Sequence, residues 1–440
     1  MQKISVLSMR HDLGVCSSYV QVHSQYMNKN NFEVTACGMF EGGEKEEILR
    51  NYGVRTEVLH GDFSRLKKLL REVDVLHFNE MGYTGHKIAR VASEARVPAI
   101  IQTDNFGYVN PTDVEKSVDL FLSVSKNVAW TYIKRAGVSV DNFLLKHAVL
   151  YPPMDIEGFE KNRPSVQEVS NFRSSLGIDD DTTLISRVGR PDTAKWSPFI
   201  IHMLWYLVRR ISVKLLIVGG TPKWIAEKIT KYHLDKNVID IGVVDEKTLY
   251  KIYYSIDMLT HSSRIGESFG STIGEAMTAE KPVIVNSSPW MDNAQIELVD
   301  NWATGFVTLT SKTFADAVVY LVNHPELAKS MGLHGYEKAK KEYDAVSNTK
   351  VLEKHYLKVL LRKGFPVDKE LWGEYEHIYD FPSKDSIRNY PVEYQKRLRN
   401  YFGNPSLVER SWIKFKQYTE QRPRRGYIFK DTHLHIPPMF

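Results

Sequence analysis

Only two cysteines, Cys16 and Cys37, occur in 440 residues. So few cannot staple a chain of this length, which excludes a disulfide framework and fits a reducing compartment. No apolar run approaches the roughly 18 residues that a membrane-spanning helix needs. The opening Met1-Gln-Lys-Ile-Ser-Val-Leu patterns as a strand and has no small-residue cleavage site, so a signal peptide is not expected and the cytoplasm is. Charge of one sign is scarce too. A net +5 is mild and mostly solvated; it suits anionic substrates, and nucleic acid is not an expected partner. Gly219-Gly220 follows an apolar strand but has no Gly-Lys-Ser/Thr ending, so a P-loop and ATP hydrolysis find no support.

What is present is globular: 42% hydrophobic, 25% charged, and long enough for two domains plus an extension. In the first third, brief apolar segments at 4–8, 32–37, 56–59, 73–78, 99–103 and 120–124 alternate with helical spacing at 18–29, 63–73 and 85–95. A second series begins near 183, with strands at 184–188, 214–218, 238–241, 258–261 and 283–286. Alternation of this kind predicts parallel sheets covered on both faces, an α/β class with two Rossmann-like halves. Leu150-Tyr-Pro-Pro-Met-Asp155 between them reads as a linker, since adjacent prolines restrict the backbone. The expected divisions are 1–170, 171–343, a long helix at 344–362, and an extension at 363–440. That extension is rich in aromatics, including Trp372, Tyr375, Tyr390, Tyr394, Trp412, Phe415 and Tyr418. Disordered tails are poor in aromatics, so it is expected to be ordered and packed on the body.

The most informative motif is Glu267-Ser-Phe-Gly-Ser-Thr-Ile-Gly-Glu275. It lies between the end of a buried strand and the start of a helix. A strand-to-helix turn containing glycine aims backbone N–H groups and the positive end of the helix at one spot, where a phosphate binds. A carboxylate on either side of that spot accepts hydrogen bonds from hydroxyl groups. Upstream, Arg187-Val-Gly-Arg190-Pro-Asp-Thr-Ala-Lys195 follows another strand. A fixed guanidinium and a lysine point charge suit a diphosphate leaving group, although surface cations are the plainer reading of that segment alone.

Together, the stretch from Glu267 through Met277, Lys281-Pro-Val-Ile-Val285, Glu297-Leu-Val and Thr304-Gly305-Phe306 resembles the donor-binding region of retaining GT-B glycosyltransferases, in the large family usually numbered four (group 1). The likeness covers roughly 1–360. It implies two Rossmann-like doubly wound domains facing a cleft, and transfer of a hexose from a UDP- or GDP-sugar to a hydroxyl acceptor on a sugar, glycan or lipid, with retention. It also implies roles. Arg190 and Lys195 clamp the diphosphate, Glu267 contacts the donor sugar, the backbone N–H groups of Phe269, Gly270, Ser271 and Thr272 meet the distal phosphate, and Ser268 belongs to the same donor-binding set. Glu275 holds the ribose, and Val243 and Val244 hold the base. No cofactor and no metal are implied, since Arg and Lys replace the metal. Asp155 and Phe159 match an interdomain segment. The family usually has glycine just before Lys281-Pro282; here it is Glu280, which affects a turn more than chemistry.

Gly14, in the first strand-to-helix loop, permits close backbone approach to a ligand or is an ordinary turn. Where many relatives carry Thr-x-His, this chain has Thr103-Asp104-Asn105; Asn105 can hydrogen-bond a hydroxyl but cannot act as acid or base. His77 is a sugar or acceptor contact on one reading and a satisfied core histidine on the other. Phe63–Val73, with Arg65, Lys67, Lys68 and Arg71, is a basic amphipathic helix. It reads first as a solvated face and second as a peripheral contact with anionic lipid. Asp431, His433 and His435 carry metal-ligand types without a third cluster. Two other classes remain open. Gly266-Glu-Ser268-Phe-Gly270 fits a hydrolase nucleophile elbow, with Asp316 and His324 as partners. The chain also fits a catalytically silent sugar-nucleotide-binding module.

Overall fold

Seven parallel strands order themselves β3-β2-β1-β4-β5-β6-β7 in the first unit of the computed structural model. They are β1 (Ile4–Asp12), β2 (Phe32–Glu41), β3 (Arg55–Val58), β4 (Val75–Asn79), β5 (Ala99–Asp104), β6 (Leu120–Ser123) and β7 (His147–Val149). The structure describes residues 3–14, 18–193, 195–287, 292–402 and 411. Every residue of β4, β5 and β6 is buried, which is what a parallel strand covered on both faces requires. This unit comprises residues 1–155 and 341–392.

β1 runs to Asp12, further than the apolar run suggested, because Met9 pairs with Cys37 and both are buried, before the register shifts between Arg10 and Asp12. β7 escaped the sequence reading: it has three residues, and its His147 stacks on Phe121 and Phe143. The long helix Ala345–Arg362 is capped by Asp344, which accepts from the Ser347 N–H at 3.0 Å. Its Leu352, Tyr356, Leu357 and Leu360 share one core with Val6, Val75, Ile101 and Leu122. Leu371 and Tyr375 of the helix Lys369–Tyr375 join the same core. The start of the aromatic extension is thus folded; beyond Phe402 only residue 411 is described, and Trp412, Phe415, Tyr418, Asp431, His433 and His435 lie outside the described residues.

The second unit comprises residues 156–340 and 393–440. Its sheet is again parallel, in the order β10-β9-β8-β11-β13-β15. The strands are β8 (Thr183–Val188), β9 (Val213–Val218), β10 (Val238–Asp240), β11 (Met258–His261), β13 (Val283–Asn286) and β15 (Gly305–Thr308). A two-residue parallel pair, β12 (Gly266–Glu267) with β14 (Asp292–Asn293), stands apart from that sheet. Ile185, Leu215, Ile217, Met258 and Ile284 pack beneath Phe199, Leu204, Phe314 and Val318. Phe159 is buried among Tyr250, Tyr253 and Tyr254 of this unit, while Asp155 of the first unit accepts from Tyr26 Oη at 2.5 Å. Among the described residues no helix is long and apolar enough to cross a membrane. In the helix Phe63–Leu70, Arg65 pairs with Glu57 and Lys67 with Glu94.

Candidate active site

The order of the second sheet reverses between β8 and β11, which are hydrogen-bonded neighbours. In doubly wound sheets ligands bind outside the carboxyl ends of the strands at such a reversal. β8 ends at Arg187-Val188 and is followed by Gly189, Arg190 and a turn in which the Trp196 N–H bonds the Asp192 carbonyl at 2.8 Å. A side chain at Gly219 would place Cβ 2.5 Å from the Gly189 carbonyl oxygen, so only glycine lets the loops after β8 and β9 lie this close. β11 ends at His261, and the chain reaches Glu267 six residues later.

Glu267 is buried and meets Lys195 and His261. Lys195 Nζ is 2.8 Å from its Oε2. His261 Nε2 lies 3.3 Å from its Oε1, off the line of a good hydrogen bond. Burial alone would push the Glu267 carboxyl up, but His261 and Lys195 outweigh it and hold it down at about 2. Its main chain is fixed as well: the Glu267 N–H donates to Gln295 Oε1 at 3.2 Å, and its carbonyl accepts from the Ala294 N–H at 3.1 Å. Arg187 is buried with its guanidinium 4.0 Å above the Trp196 ring. Burial lowers it to about 10, against the opposing pull of Glu267 and Asp192.

The helix Ser271–Thr278 starts three residues after Ser268. Its N-cap, Gly270, has φ 103°, and a Cβ there would meet Ile273 Cδ1 at 2.9 Å. The first turn of any helix leaves N–H groups without intrahelical acceptors. Phe269 is buried, Ser268 and Thr272 are half-buried and Ser271 is exposed. Thr272 Oγ1 lies 3.4 Å from His261 Nδ1. His261 thus stands between the carboxylate and the helix start. One turn on, Glu275 accepts from Tyr253 Oη at 2.5 Å, and burial keeps the Tyr253 phenol well above its ordinary range.

Lys195 and Glu267 are therefore brought together, with Ser268–Glu275 continuing directly from them. Arg190 is exposed on the loop after β8. Val243 is exposed and Val244 half-exposed after β10, where Gly219 N–H donates to the Gly242 carbonyl at 2.6 Å. Sequence reasoning passed over His261, Arg187, Tyr253 and Gln295. The first two end strands that point at the motif, which is the signal that could have found them. Asp316 pairs with Arg210 and Lys312, and His324 hydrogen-bonds the Tyr320 carbonyl, so neither is arranged as a triad member.

In the first unit, Gly14 N–H bonds Asp12 Oδ1 at 2.8 Å. His77 is buried with both ring nitrogens engaged, at 2.7 Å each, by Tyr356 and Thr103, and burial lowers it to about 3. Asp104 is buried, its Oδ1 accepting from Phe106 and Gly107 N–H groups. Burial and then Glu80 push its carboxyl well up. Asn105 donates its N–H to Glu80 at 2.9 Å.

Residues 168–338 match the family described as glycosyl transferases group 1. The fold is that of GT-B glycosyltransferases: an Anabaena protein, HepE, solved with UDP and glucose, superposes with a TM-score of 0.69 over 81% of this chain and 100% of its own, at 17% identity. An uncharacterized glycosyltransferase of Methanocaldococcus jannaschii is 32% identical over 144 residues, 32% of this chain and 36% of that one. A trehalose synthase of Pyrococcus horikoshii is 27% identical over 267 residues, 55% and 62% of the two chains. The chain thus aligns with less than two thirds of either relative's length.

Proposed function

We propose that this protein transfers a hexose from a nucleotide-diphosphate sugar to a hydroxyl acceptor, with retention of anomeric configuration. The observation that carries the reading is the Lys195–Glu267 ion pair at the sheet reversal, immediately followed by the helix that starts at Ser271. Lys195 and Arg190 neutralise the diphosphate as the glycosidic bond breaks. The helix N-terminus takes the distal phosphate. Glu267, ionised at any working pH, accepts hydrogen bonds from donor-sugar hydroxyls. Glu275 accepts from the ribose, with Tyr253 fixing its carboxylate. Val243 and Val244 line the base. The UDP and glucose named with HepE, and the sugar-transferring relatives, support this donor class. The acceptor is a sugar, glycan or lipid-linked hydroxyl.

Incubation with a panel of UDP- and GDP-sugars, with water or simple sugars as acceptor, tests the proposal. Release of nucleotide diphosphate is expected from at least one donor, with the product anomer matching the donor by NMR. No turnover of any donor, with nucleotide still bound, would favour the silent binding module instead.

A further inference from the structure

The helix Lys384–Phe402 lies wholly beyond the family match, and its residues from Glu393 onward belong to the second unit. There they meet one segment, residues 293–300. Asn293 Nδ2 donates to Tyr394 Oη at 3.2 Å, with both side chains buried. Arg397 Nη1 donates to the Ile296 carbonyl and to Asp300 Oδ1, each at 2.8 Å. Tyr401 Oη donates to the Val299 carbonyl at 3.4 Å. Lys338 closes the same segment from another side, reaching the Glu297 carbonyl and Asp300 Oδ2 at 2.8 Å. A one-turn helix, Gln295–Leu298, has carbonyls with no intrahelical donor, and cations at its C-terminal end satisfy them.

The segment so held is the one that fixes Glu267. Asn293 pairs with Glu267 in the β12–β14 register. Ala294 and Gln295 take the carbonyl and N–H of Glu267. We infer that Arg397 and Tyr394 are positioning residues for the sugar-contacting carboxylate, acting through residues 293–300. The inference rests on the proposed transferase reading for its kinetic consequence only; the mechanical link is independent of what the site turns over.

Arg397→Ala in the full chain tests it, with Lys396→Ala as an exposed control on the same helix. Amide hydrogen exchange of the peptide covering 265–270 is expected to speed at least tenfold in Arg397→Ala and to stay unchanged in the control. With a donor that wild type turns over, kcat per nucleotide-binding site should fall about 10- to 100-fold while the nucleotide Kd moves less than about threefold, since misplacement by 1 Å costs about that much. The acid limb of the kcat profile should also move up in pH, as Glu267 loses the placement that keeps it ionised. Tyr394→Phe, which removes only the hydroxyl, should show the same signs more weakly. Unchanged exchange at 265–270, or a lower melting temperature with kcat per binding site intact, would overturn the inference. If wild type turns over no sugar nucleotide while exchange responds as expected, the transferase reading fails and the buttress stands.

Discussion

Glu267 sits where burial and its side-chain partners pull in opposite directions, and the partners, His261 and Lys195, win. A buried carboxylate without partners titrates high; this one, between Lys195 and His261, titrates at about 2. Its folded value lies below the ordinary 4.5, so the stability it contributes is present above that value and is lost as pH falls toward about 2. The window carries on the order of 3 kcal/mol. Acid unfolding monitored by circular dichroism should therefore show a steeper loss between about pH 4.5 and 2 in wild type than in Glu267→Gln. The same variant should lose roughly 10²–10³ in turnover, the usual cost of removing one preorganised polar group. Glu275→Ala should weaken nucleotide binding at least tenfold by calorimetry, and an unchanged affinity would remove the ribose assignment. Ser268→Ala separates the hydrolase alternative: a transferase loses little, a hydrolase everything. Motif spacing made Lys195, Glu267 and Glu275 legible. His261 and Arg187 were not, because their part depends on which strand ends become neighbours.

At the scale of elements, parallel order was readable because buried strands write themselves as short apolar runs between polar helices. The short strands were not. β12 and β14 have two residues each, and their pairing is held by Gln295 and Ala294, long-range contacts that leave no periodicity. The Lys281-Pro282 turn shows a departure legible in the sequence, now with its physical content. Glu280 adopts φ 59°, left-handed backbone where glycine is at ease, and it pairs with Arg163. Removing the ion pair with and without relief of the backbone separates the two effects. Glu280→Gly should be more stable than Glu280→Ala by about 1 kcal/mol in urea denaturation. Equal stabilities would mean the turn carries no strain.

At the scale of the whole molecule, composition and βα alternation sufficed for the α/β class and two sheets. The extension resisted reading for a physical reason: aromatic content signals that a segment is packed but not against what. The structure sends Leu371 and Tyr375 into the first unit's core and Tyr394, Arg397 and Tyr401 onto residues 293–300 of the second. The central claim is that a nucleotide diphosphate binds at the carboxyl ends of β8 and β11. Calorimetric titration of UDP and GDP into wild type, Arg190→Ala and Lys195→Ala tests it most directly. Wild type should bind one of the two nucleotides, each alanine variant should bind at least tenfold more weakly, and wild-type affinity should fall with added salt. Binding of equal strength in all three proteins, or none in wild type, would contradict the account.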